Sequence, residues 1–223
     1  MQRRQFNALA AVLAGLAASA QAAVSQADAS AGVKLALERG ANAAVDLLGK
    51  SGGFLDNPKV RIPLPGVLDK AAKVAKMTGQ QKQVDDLVLA MNRAAEAAVP
   101  EARSLLVDAA KSMSVDDALK IVRGGDTSVT DYFARRTREP LSKKFLPIVA
   151  AETDKVALAE KYDAVAGKAA GFGLLKKEDA NLNGYVTGKA LDGLYLVIGE
   201  QERALRQNPL GASSDLLKRV FGG

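Results

Sequence analysis

The chain has 223 residues, of which 48% are apolar and only 4% aromatic, with no Cys, no Trp and no His. Structural disulfides, thiol nucleophiles, thiolate metal sites and the serine triad are therefore excluded. Carboxylates, Lys, Tyr, Ser and Thr remain for chemistry, along with hard-cation oxygen sites. Lys plus Arg number 31 against 25 acids, a formal net charge of +6. That balance permits contact with anionic headgroups or acidic polymers and does not demand nucleic acid.

Residues 1–22 predict a signal peptide. Arg3 and Arg4 form a positive start, residues 8–18 form an apolar run too short to span a bilayer, and Ala20-Gln21-Ala22 is a small-x-small cleavage site. Cleavage is expected after Ala22, which places residues 23–223 in the periplasm as one helical domain. Arg3-Arg4-Gln5-Phe6 also resembles a twin-arginine motif, so both that route and the general secretory route stay open.

Along the expected mature chain, Val33, Leu37, Ala41, Ala44, Val45 and Leu48 recur at helical spacing over 26–49. Gly40 marks a weak point, or a place where another helix comes close. Residues 54–65 form an irregular strap, because the residues before Pro58, Pro63 and Pro65 are pushed out of the helical region. Its alternation of Val60, Ile62 and Leu64 predicts packing over helices. The competing reading makes it a groove wall with Arg61 as an anion contact.

Further helices are predicted over 66–77, 80–99, 100–113 and 115–123, the last capped by Ser114 with Asp116 and Asp117 in its first turn. Asn92, Arg93 and Glu96 are read as the edge of the 80–99 apolar face. Asp126, Thr127 or Thr130 is expected to cap a short helix through 131–137. A separate helix from about 138 carries Pro140 in its first turn and a kink at Pro147. A helix over 153–168, a glycine-rich linker over 169–180, a long helix over 185–207 capped by Asn183, and a last helix over 214–221 complete the chain. The expectation is all-α, with eight to ten helices and one extended strap over about 54–65.

Three constellations stand out. Across 124–138, the Gly124-Gly125 pair precedes a helix start that favours anions, and Asp126, Thr127, Thr130, Asp131, Tyr132 and Arg135 follow as candidate binding residues. Helix caps and a surface Asp131–Arg135 pair explain the same residues without a ligand. Asp179-Ala180-Asn181-Leu182-Asn183-Gly184 has the spacing of half an EF-hand, but the twelfth position is Ala190 where a Glu is required. Lys189, Asp192, Glu200 and Glu202 read as solvated ion pairs. Arg61, Asn92 and Arg93 complete the set of candidate binding residues. No catalytic residue, metal ligand or cofactor is assigned.

The segments 54–65, Met91-Asn92-Arg93-Ala94-Ala95-Glu96, Gly124-Gly125-Asp126-Thr127, Thr130-Asp131-Tyr132-Phe133, Phe145-Leu146-Pro147-Ile148-Val149 and Lys189-Ala190-Leu191-Asp192-Gly193-Leu194 together resemble the domain of unknown function 4197 family of bacterial exported proteins. The resemblance spans nearly all of the expected mature chain. It implies a signal-bearing envelope protein, brings no activity with it and weighs against the calcium reading. The leading expectation is a non-catalytic envelope protein that binds a small ligand or a protein partner. The alternative is a carboxylate-dependent hydrolase or lyase acting on an envelope polymer, using Asp126 and Asp131 with Arg135 or Arg61 holding an anionic group. A third reading attaches Arg135, Arg136, Arg138, Lys143 and Lys144 to an anionic membrane surface.

Overall fold

The computed structural model describes residues 26–68, 81–155 and 181–208, with isolated positions at 72, 77 and 79. The expected leader, most of the 66–77 and 153–168 helices, the 169–180 linker and the 214–221 helix lie outside the described residues. So does the first part of the half EF-hand.

Among the described residues every regular element is helical, and there is no strand. Six α-helices are present: α1 (Gln26–Leu48), α2 (Gln81–Ala98), α3 (Ala102–Lys111), α4 (Val115–Arg123), α5 (Ser128–Thr153) and α6 (Leu182–Gln207). Two 3-10 turns, Gly66–Leu68 and Val99–Glu101, accompany them. Eight to ten helices were expected of the chain, and the described residues hold six. Within them α5 is one continuous 26-residue helix where two were expected. Pro140 and Pro147 both sit inside it on the exposed side. The carbonyls they leave without a donor belong to Arg136 and Lys143, which are also exposed, so water can take the place of the missing bonds.

The inward stripe of α1 is the one its periodicity predicts, with Val33, Leu37, Ala41, Ala44, Val45 and Leu48 all buried. It packs on α3, α4 and α6. Gly40 does meet a neighbour: a Cβ there would lie 3.7 Å from Gln201 Cβ of α6. On the other side α5 packs along both α2 and α6. Phe133 and Phe145 of α5 are fully buried between them and carry the largest apolar surfaces of that layer. The helix α6 is buried on most sides from Val186 to Ile198, with Lys189, Asp192 and Leu196 left on an exposed stripe.

Caps explain where the helices begin. Ser114 accepts from the Asp117 amide at 3.0 Å and opens α4, as its sequence predicts. The cap of α6 is Asn181, which accepts from the Gly184 amide at 2.7 Å; Asn183, expected in that role, instead receives a hydrogen bond from Thr153. At the start of α5, Thr127 occupies the cap position and makes no capping bond.

The strap runs through turns over 51–60 and then irregularly through 61–65. Gly52 adopts φ +82, the left-handed conformation that lets the chain reverse after α1. Phe54 and Ile62 are fully buried, Val60 is nearly so, and Arg61 faces out. The strap packs on helices, as the alternation of its apolar residues predicts.

Candidate functional site

Two buried polar clusters hold this architecture, and several of the candidate residues belong to them. The first lies where α2 meets the strap. Asn92 is fully buried. Its Oδ1 accepts from the Ile62 amide at 2.9 Å, while its Nδ2 donates to the Ile62 carbonyl at 3.0 Å and to the Val88 carbonyl at 2.8 Å. One turn on, Glu96 Oε1 accepts from the amides of Phe54 and Leu55 at 3.0 and 3.1 Å. Arg93 donates to Glu96 Oε2 at 2.5 Å and to Ser51 Oγ at 2.7 Å. These residues are not the edge of an apolar face. They take up backbone groups of a segment that has no helix or sheet to satisfy them.

The second cluster lies where α4 ends, α5 begins and α6 passes. Glu202 of α6 accepts from the Val129 amide and from Ser128 Oγ, both at 3.2 Å. Arg206, one turn further, donates to Glu202 at 2.7 Å, to the Ile121 carbonyl at 2.8 Å and to Ser128 Oγ at 3.0 Å. Glu202 thus supplies the anion that the start of α5 favours, and Arg206 supplies a cation to the end of α4. Burial pushes the Glu202 carboxyl above the usual range, against the pull of Arg206 and the donors from Val129 and Ser128. Gly124 is required by close approach: a Cβ there would stand 2.6 Å from Ser128 Cβ and 2.8 Å from the Lys120 carbonyl.

Around this junction the candidate residues separate. Asp126 is exposed and lies 3.8 Å from Arg203. Thr127 and Asp131 are exposed, and Thr127 Oγ1 donates to Asp131 at 3.2 Å. Arg135 is exposed and makes no ion pair with the described residues. Thr130 is half-buried against Gly199 of α6. Tyr132 points inward; its hydroxyl donates to the Ala109 carbonyl at 2.8 Å, and Arg136 stacks over its ring. Burial raises the Tyr132 phenol. Another buried hydroxyl pair ties α5 to α6: Thr137 donates to the Phe133 carbonyl and receives the Tyr195 hydroxyl at 2.9 Å.

Among the described residues no group of three or more acidic side chains is arranged to hold a metal ion. The oxygens of Asn181 and Asn183 are taken by helix caps and Thr153. Asp192 and Glu200 do form surface ion pairs, with Arg138 and Lys59, each at 2.7 Å. Glu202 departs from that expectation, because it is buried. Its burial had a signal in the sequence: it lies one helical turn beyond Ile198, on the same stripe as Leu191, Leu194 and Tyr195. Glu96 follows Asn92 by one turn in the same way.

A family model described as "Protein of unknown function (DUF4197)" matches residues 23–222. The chain belongs to this family. No curated protein and no solved structure matches it. Five of the six segments that carried the resemblance meet in two places in this DUF4197 member. The strap seats on the 91–96 and 189–194 segments, and the 124–127 and 130–133 segments form the junction held by Glu202.

Proposed function

We propose that this DUF4197 chain is exported to the periplasm, loses residues 1–22, and there binds a protein partner or small ligand without catalysing a reaction. The observation that supports this most is how the described buried polar side chains are used. Asn92, Glu96 and Glu202 are each taken up by backbone amides or carbonyls of the chain itself. General acid–base work needs a desolvated carboxyl free to exchange a proton with substrate. The two aspartates of the hydrolase reading are both in water. The exposed residues Asp126, Thr127, Asp131 and Arg135 around the start of α5 are then where a partner is met, with Arg61 exposed on the strap. Membrane attachment draws less support, because Arg136, Arg138 and Lys143 are paired with Asp117, Asp192 and Glu139.

The test is a thermal-shift screen of the chain beginning at Ala23 against metals, nucleotides, sugars, peptidoglycan fragments and lipid headgroups, beside assays for turnover. A bound ligand stabilises by mass action, about 2.7 kcal/mol at a hundredfold excess over Kd. The expected result is stabilisation by a ligand or partner, weakened by Asp131→Ala or Arg135→Ala, with no turnover. Reproducible turnover lost on Asp126→Ala would overturn the reading. Fractionation that leaves the chain in the cytoplasm with residues 1–22 intact would overturn export.

A further inference from the structure

The strap is held in the way a bound peptide is held. Over 61–65 it makes no strand pairing, and Pro63 and Pro65 remove two of its own donors. Its backbone is read by side chains of two helices. Asn92 of α2 grips Ile62 at both the amide and the carbonyl, the two-point contact by which a side-chain amide recognises an extended backbone. Glu96 reads the amides of Phe54 and Leu55. From α6, the Tyr185 hydroxyl donates to the Pro63 carbonyl at 3.2 Å. Gly193 provides the bare surface against which Phe54 and Val60 lie: a Cβ there would be 2.8 Å from the Phe54 ring and 3.2 Å from Val60 Cβ. Backbone contacts of this kind supply affinity, and the pockets for alternate side chains supply selectivity.

We infer that the seam between α2 and α6 is a peptide-reading site, occupied in this structure by residues 54–65 as an internal ligand. The ligand it would take from outside is a segment of a partner polypeptide that turns over its first part and runs extended into its prolines, as residues 54–65 do. That segment carries an aromatic residue to lie on Gly193 and, further along, a β-branched residue directly before a proline for Asn92. Proline suits such a segment because it arrives with little conformational entropy to lose. The strap competes for the site, so the native chain binds an outside segment only in proportion to the fraction of molecules whose strap has opened. This inference goes beyond the exposed face around Asp126 and names a second, separate site.

The probe is a labelled synthetic peptide with the sequence of residues 54–65, and the receptor is the chain carrying Phe54→Ser, Val60→Ser and Ile62→Ser. Saturable binding is expected, at least about tenfold tighter than to the native chain. Adding Asn92→Ala is expected to weaken it at least about tenfold by removing both contacts to the backbone. Failure to bind a receptor that keeps the native far-ultraviolet dichroism, or binding indifferent to Asn92→Ala, would overturn the site. If the triple variant does not fold, native-state hydrogen exchange on the unaltered chain decides. The amides of Phe54, Leu55 and Ile62 are expected to exchange through a local opening of lower free energy than that protecting Phe133 and Phe145. Exchange of both sets only through global unfolding would overturn it.

Discussion

Glu202 is a buried carboxylate that accepts the Val129 amide at the start of α5 and a bond from Arg206 of its own helix. Read as a letter among Glu200, Arg203 and Arg206, it looks like one more surface charge. In three dimensions it neutralises the start of one helix while Arg206 serves the end of another. Periodicity could place it on the inward stripe, but could not say that two helix ends converge there to receive it. Its raised folded-state affinity for a proton makes a pH prediction. The folded chain binds this proton more tightly than the unfolded chain does. Its contribution to stability is therefore complete below the unfolded carboxyl value of about 4.3 and declines as pH rises through the raised folded value. Melting temperatures between about pH 4 and 7 are expected to fall with pH more in the native chain than in Glu202→Gln. Parallel curves for the two would contradict this.

At the scale of elements, helix existence was legible and helix continuity was not. The stripes of α1 and α2 are written in their spacing, and Ser114 announces α4. Two prolines suggested that the 128–153 stretch was broken, yet both face solvent and the helix runs through them. The organising element is α6, whose glycines are matched to what touches them. Gly193 admits the strap, and Gly199 admits Thr130. Gly188, on the same helix, meets nothing within 4 Å. Gly193→Ala is accordingly expected to destabilise by about 1–3 kcal/mol through overpacking. Gly188→Ala is expected to stabilise by about 0.5–1 kcal/mol, since the backbone loses less freedom on folding. Urea denaturation of both variants checks this, and a loss at Gly188 equal to that at Gly193 would mean the notch is not specific.

For the molecule as a whole, the all-α class, the packed strap and the family were available from residues alone. What the buried polar side chains bond to was not, because helical spacing gives a face and does not name the neighbour opposite it. Asn92 and Arg93 stood beside Asp126 and Asp131 as equals in the sequence. In the structure Asn92 is enclosed and fully engaged, Arg93 spans to Ser51 and Glu96, and the two aspartates are in water. The fold is thus organised by polar side chains that satisfy the backbone of a strap and a helix junction, while Asp126 and Asp131 make only surface contacts with Arg203 and Thr127. Chemical denaturation of Asn92→Ala, Asp126→Ala and Asp131→Ala tests this most directly. Asn92→Ala is expected to lose about 1–3 kcal/mol, because the buried amide and carbonyl of Ile62 are left unpaired. The aspartate variants are expected to stay within about 0.5 kcal/mol of the native chain. An Asn92 variant as stable as the native chain, beside an aspartate variant that unfolds readily, would contradict it.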